Sequence, residues 1–234
     1  MNWLTRLLGK PAAPVGDRRA MAAITAPAAP AQLSLHDCRF VVVDVESTGL
    51  NMQKDLLLSI GAVAIEAEQI RLADQFEAVL AQAGADTRDT VLLHGLGSEA
   101  IATGDIPAEV LLRFYQWSGP AVFFAFHSVF DQNMVERATR QHFGMVPARL
   151  WLDLAVCLPA LFPKERDGLR GLDDWANFFG LHNHARHEAA ADAFVTAELT
   201  LILLRAARRD GLQTVADLQK KIRLYQQLEQ MKSQ

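Results

Sequence analysis

The chain has 234 residues with a formal net charge of −4, and it is 50% hydrophobic and 21% charged. That suits one well-cored domain with tails, in a composition ordinary for a globular protein. No apolar run approaches the ~20 residues of a membrane span. The negative balance counts against a protein that coats nucleic acid through surface Lys and Arg.

Residues 1–32 stand apart. The opening MNWLTRLLGK suits a short amphipathic turn, and the Ala/Pro-rich stretch after it carries a single acid, Asp17. It shares the basic, acid-poor bias of an organelle transit peptide. It lacks a sustained apolar core ahead of a cleavage site, so it makes a poor secretory signal. A flexible tether is the expected state.

The globular part is expected to begin near Leu33. Segment 39–46, RFVVVDVE, reads as a buried strand followed by a turn, and 57–66 and 70–80 follow at a spacing that suits a three-strand meander. After a loop at 82–90, residues 106–117 place Ile106, Val110, Leu111, Phe114 and Trp117 at helical intervals. A strand at 121–127, a helix at 130–142 and a short strand near 149–152 come next, then helical patterns at 153–161, 171–179 and 188–208. Three hairpin-linked strands followed by alternating strand and helix predict an α/β fold. The expected sheet is mixed, three antiparallel strands and then parallel ones, with helices over its faces.

These patterns set a domain at 33–208 and a C-terminal amphipathic helix within 209–234. Over 212–231 that helix carries Val215, Leu218, Ile222, Tyr225 and Leu228 on one stripe. It either folds back on the domain or contacts a partner, and two heptads are too few for a coiled coil. The run Gln213 to Leu218 has a loose likeness to sliding-clamp-binding peptides, without their terminal aromatic, and reads better as a helix start. Cys38 and Cys157 form no CxxC or zinc pattern, which fits reduced thiols in a cytoplasmic compartment.

The chemistry rests on five positions. Asp44 and Glu46 lie two apart on a strand, so both carboxylates project to one face while Val43 and Val45 face the other. Two anions side by side repel unless a cation is shared, although D-x-E alone also fits a strand end with solvated acids. Ser47, Thr48 and Gly49 then supply hydroxyls and a pliable backbone where the chain turns beside a ligand. Asp131 follows a strand and opens a helix, at the carboxyl edge where α/β sheets gather ligands. It equally fits a capping box with Ser128. His187 and Asp192 are five apart, about 140° around a helix. The histidine is therefore expected on the entering loop and the aspartate in the helix. A zinc or nickel site from His182, His184 and His187 is the rival reading. It lacks a fourth ligand and a nearby cysteine.

The order DVESTG, LLHGLG, FHSVFD, the LDDWANFFGL helix and H-x4-D resembles the DEDD exonuclease superfamily in its histidine subclass. That is the group of the proofreading epsilon subunit of bacterial DNA polymerase III, ribonuclease T and oligoribonuclease, and the LLHGLG segment is epsilon-like. The match runs from about Arg39 to Leu204. The resemblance implies a ribonuclease H-like fold, with Asp44, Glu46, Asp131 and Asp192 holding two Mg²⁺ or Mn²⁺ ions. It makes His187 the general base and His94 a contact to the substrate nucleotide, beside Ser47 and Thr48. Two positions depart from the pattern: Ser47 replaces the usual threonine and keeps its hydroxyl, and Ser128 replaces an asparagine.

The expected activity is 3′–5′ exonucleolytic release of nucleoside 5′-monophosphates from DNA 3′ ends by a two-metal mechanism, in proofreading or repair. Single-stranded DNA is favoured over RNA. An RNA-directed exonuclease is the first alternative and a non-catalytic nucleic-acid- or polymerase-binding module the second. A polymerase, a clamp or a second copy would meet the chain through 212–231.

Overall fold

The computed structural model describes residues 16–82, 98–165, 168–182 and 188–232. Five strands form one sheet: β1 (Phe40–Ser47), β2 (Leu57–Glu66), β3 (Gln69–Val79), β4 (Val122–Ala125) and β5 (Trp151–Asp153), ordered β3-β2-β1-β4-β5. The first three pair antiparallel, while β1 with β4 and β4 with β5 pair parallel. The sheet is the mixed α/β arrangement that the meander and the later strand–helix alternation predict. β2 falls on the expected residues because its run is mostly apolar and is buried on both faces from Leu57 to Ile65. Ala67 and Glu68 turn the chain into β3 with φ of 48° and 58°. That left-handed pair suits the twist of a tight hairpin without the usual Asn-Gly.

Alternation along β1 divides the core in two. Phe40 and Val42, with Val63, Ile65 and Phe124, face helices α5 (Leu154–Leu161), α6 (Leu172–Phe178), α7 (Ala189–Arg209) and α8 (Val215–Lys232). Val41, Val43 and Val45, with Ile60, Ala62 and Phe123, face α3 (Pro107–Ser118) and α4 (Val129–Phe143). A short α2 (Ser98–Ala102) precedes α3. Among the described residues, no helix is long and apolar enough to cross a membrane.

The described part of the N-terminal segment departs from the expected tether. Residues 16–32 lie on the domain, with α1 (Arg18–Ala22) capped by the Asp17 carboxylate, which accepts from the N–H groups of Arg19 and Ala20. Met21 is 1% exposed in the cluster that holds Phe143 and Val41. The Gly16 N–H donates to the His142 carbonyl at 3.0 Å, and Arg149 donates to the Thr25 carbonyl at 3.2 Å. One apolar anchor and one cap hold what an Ala/Pro-rich composition leaves loose.

At the other end, α8 starts in a capping box. Thr214 N–H donates to the Asp217 carboxylate at 2.9 Å, and Asp217 N–H returns to the Thr214 hydroxyl at 3.2 Å. Val215 and Leu218 are buried, and Ile222 and Tyr225 pack against the same core, so the first half of the stripe folds back on the domain. The last turns leave Leu224, Leu228 and Met231 exposed.

Candidate active site and metal centre

β1 is held on both sides only at its start. It pairs with β4 through Phe40, Val41 and Val42, after which β4 ends and the chain turns away. His127 makes that turn with φ of 59°, and α4 begins two residues later. The orphaned edge of β1 is taken over by a side chain: Asp131 Oδ1 accepts the Val45 N–H at 3.1 Å. Ser128 makes no side-chain cap bond, so Asp131 serves the strand rather than a capping box with that hydroxyl. Asp131 is 5% exposed. Burial pushes its carboxyl up to about 8, the Asp153 charge adds to this, and backbone hydrogen bonds from Asp131 and Val45 oppose it.

Beyond Val43 the α7 side of β1 carries Asp44 and Glu46. Asp192, in the first turn of α7, meets them there. One carboxylate oxygen from each of the three residues lies within 4.8 Å of the others. Glu46 and Asp192 are each 5% exposed, and Asp44 is half-buried. Two full charges at such a separation repel by about 3 kcal/mol at an effective dielectric near 20. A cation among these oxygens would offset that repulsion. Hard carboxylate oxygens without sulfur suit Mg²⁺ or Mn²⁺. A break in the β1–β2 register falls at Glu46/Ser47, where the strand leaves the ladder beside these side chains.

Asp131 is not one of the three grouped carboxylates. It approaches from α4, on the edge of β1 where Val45 N–H points. Ser47 and Thr48 turn their hydroxyls inward. Ser47 Oγ donates to the Gly49 carbonyl at 2.6 Å, and Thr48 Oγ1 donates to Asp55 at 3.1 Å while accepting the Leu56 N–H at 2.9 Å. They build the loop 48–56, and α4 holds that loop through Arg137, which donates to the Gln53 carbonyl at 3.0 Å and to the Asp55 carbonyl. Leu50 stands out from it, 89% exposed. His94 and His187 lie outside the described residues, as does His184 of the rival zinc reading. His182 is exposed.

Sequence reasoning passed over Gly61, where a Cβ would meet the Ala189 backbone, and Arg137 and Asp55, which hold the 48–56 loop. The glycine had a readable signal, since a Gly inside an apolar strand run marks close approach by another backbone. Arg137 and Asp55 had none, because an Arg on a helix and an Asp in a turn are usually just solvated.

A family model described as Exonuclease, of the RNase T type, matches residues 41–200, more than half of the chain. The chain belongs to this exonuclease family. Its relatives include the PolC-type DNA polymerase III of Thermotoga maritima, 27% identical over 184 residues that make up 79% of this chain and 13% of the polymerase. The PolC-type enzyme of Staphylococcus epidermidis is 25% identical over 193 residues, 82% of this chain and again 13% of the polymerase. The chain thus spans a small part of the length of these relatives.

Solved structures share the fold. Escherichia coli Exonuclease I in complex with a dT13 oligonucleotide matches with a TM-score of 0.61 at 18% identity, covering 74% of this chain and 42% of that one. The nuclease domain of 3′hExo, a DEDDh family member bound to rAMP, matches with a TM-score of 0.62 at 12% identity, covering 73% of this chain and 93% of its own.

Proposed function

We propose that the protein is a 3′–5′ exonuclease that removes nucleoside 5′-monophosphates from DNA 3′ ends with the help of two divalent cations, in proofreading or repair. One observation carries this: Asp44, Glu46 and Asp192, drawn from a strand and a helix 140-odd residues apart in sequence, bring their oxygens within 4.8 Å of one another. The donor set fits Mg²⁺ or Mn²⁺. Asp44, Glu46 and Asp192 would hold the ions, with Asp131 beside them on the far edge of β1. When bound, such ions supply charge stabilisation of the scissile phosphate and acidify water for attack.

The chain's own groups do the rest. β1 and α7 fix the carboxylates on rigid elements, so little motion is needed at the moment of reaction. His187 is assigned the proton transfer from the attacking water, which a neutral imidazole performs near pH 7. The 48–56 loop, pinned by Arg137, offers the exposed Leu50 as an apolar contact for a terminal base. Ser47 and Thr48 shape that loop, and His94 is assigned a contact with the terminal nucleotide.

PolC-type polymerases and Exonuclease I with its dT13 strand favour DNA. The rAMP on 3′hExo supports RNA as the second reading. Cys38 and Cys157 are both buried and free, which suits the reducing cytoplasm. The catalytic unit is taken as 33–208, and the exposed Leu224, Leu228 and Met231 make α8 the surface for a polymerase, a clamp or a second copy.

The test is product analysis on 3′-labelled single-stranded DNA, duplex DNA and short RNA, with Mn²⁺, with Mg²⁺ and with a chelator. Labelled 5′-monophosphate should appear first, only with metal, and fastest from single-stranded DNA. Metal-independent cleavage, or label released in oligonucleotides, would overturn the proposal.

A further inference from the structure

We infer that Gly61 is a positioning residue of the carboxylate site: its missing side chain lets α7 rest directly on β2 and so sets where Asp192 meets Asp44 and Glu46. This rests on the metal-site reading above and adds a residue that touches neither metal nor substrate.

Three observations carry it. Gly61 is the register partner of Asp44 across the β1–β2 ladder, so it sits beside the site. It shares the face of Val63 and Ile65, the face covered by α7. A Cβ built on Gly61 would stand 2.2 Å from the Ala189 carbonyl carbon, 2.4 Å from its oxygen and 2.4 Å from the Ala190 nitrogen. These are backbone atoms, so no side chain can swing aside to make room.

One of two bodies must move. β2 is bonded to β1 on one side and to β3 on the other, and Ile60 and Ala62 anchor its back in the second core. The helix end is the weaker constraint, and the contacted atoms belong to its first turn. Asp192 belongs to that turn as well, its N–H donating to the Glu188 carbonyl at 2.9 Å. Retreat by about 1 Å to reach ordinary contact would draw the Asp192 carboxylate off the other two. Metal sites tolerate only ~0.2 Å of ligand error, and a 1 Å misplacement of a reacting group costs on the order of 10²-fold in rate. Small residues along the seam, Ala189 and Ala193, both buried, complete a groove made for close approach.

The experiment measures Mn²⁺ binding by calorimetry and by electron paramagnetic resonance of the free ion, on the full chain. Its arms are wild type, Gly61→Ala and Leu203→Ala. Leu203 is buried on the same helix, roughly 16 Å further along, so its truncation destabilises α7 without moving its first turn. Gly61→Ala should fold, melt cooperatively, and raise the Mn²⁺ Kd at least about tenfold, whereas Leu203→Ala should lower Tm and keep the wild-type Kd. A folded Gly61→Ala with wild-type Kd overturns the inference. So does an equal loss of affinity in Leu203→Ala. Ala193→Ser, a milder insertion on the buried face of the same turn, is the second variant should Gly61→Ala fail to fold. It should raise Kd a few-fold, and an unchanged Kd there counts against the inference. A wild type that takes up no Mn²⁺ instead sinks the metal-site reading itself, so the two failures are distinguishable.

Discussion

The two halves of β1 do opposite things with the same backbone. From Phe40 to Val42 the strand has neighbours on both sides and side chains buried on both faces. From Asp44 to Ser47 it keeps only β2, its free edge is met by a carboxylate, and its α7 face turns acidic. Charge is handled differently at the two ends as well. Arg39, at the start, answers Glu66 within hydrogen-bonding distance and Asp74 at 2.8 Å, and lies 5.3 Å from the Trp117 ring centroid. At the finish, one oxygen each from Asp44, Glu46 and Asp192 lies within 4.8 Å of the others. A strand can thus carry its fold in one half and its chemistry in the other, since pairing on both edges is needed only where the core must be sealed.

This contrast can be broken in order of effect. Asp44→Ala or Asp192→Ala should lower turnover on labelled DNA by on the order of 10³-fold, the several kcal/mol that metal-ion catalysis supplies. Circular dichroism should stay native, and full activity in either variant would remove the carboxylate assignment. Addition of Mn²⁺ at 100 times its Kd should stabilise the wild type by about 2.7 kcal/mol. The gain should vanish with a chelator and in Asp192→Asn, as read by the thermal midpoint.

Val42→Ala, in the other half, should cost about 2 kcal/mol in denaturant unfolding through the lost burial and the cavity left behind. Its activity per folded molecule should match wild type. A catalytic defect there would mean that the halves are not separable. The smallest effect belongs to Asp74→Asn. Arg39 and the Trp117 N–H hold the Asp74 carboxyl below its usual value, against a desolvation that raises it. Its contribution is therefore full above the ordinary carboxylate pKa of about 3.9 and fades as pH falls through the lower folded value. The carboxylate is 39% exposed, so the loss at neutral pH should be below about 1 kcal/mol. It should shrink in urea titrations as pH falls below the ordinary carboxylate range.

Much of this was legible in the sequence where one rule acted alone. β2 follows from its long, mostly apolar run, and the placing of Asp44 and Glu46 on one face follows from period-two geometry. The antiparallel-then-parallel character of the sheet follows from hairpin spacing and then alternation. Rules in competition were harder to read. Ser128 and Asp131 spell a capping box, yet the unpaired Val45 N–H claims the carboxylate. Ser47 and Thr48 look available for a ligand, yet a tight loop needs their hydroxyls first. Residues 16–32 have the composition of a tether, but composition averages away a single Met21 that finds a socket. His94 and His187 fall outside the described residues, so their roles rest on resemblance alone.

The docking of Gly16 beside His142 has a practical side. α4 starts at the acidic end of the sheet and runs 15 residues, roughly 22 Å, to Phe143. Gly16 is fastened at that remote tip. An affinity handle or a fused domain joined directly to Gly16 would therefore be anchored on the rim opposite the carboxylates. Immobilising the protein from that end should leave the carboxylates facing the bulk liquid, whereas attachment through α8 would load the stretch proposed for partners.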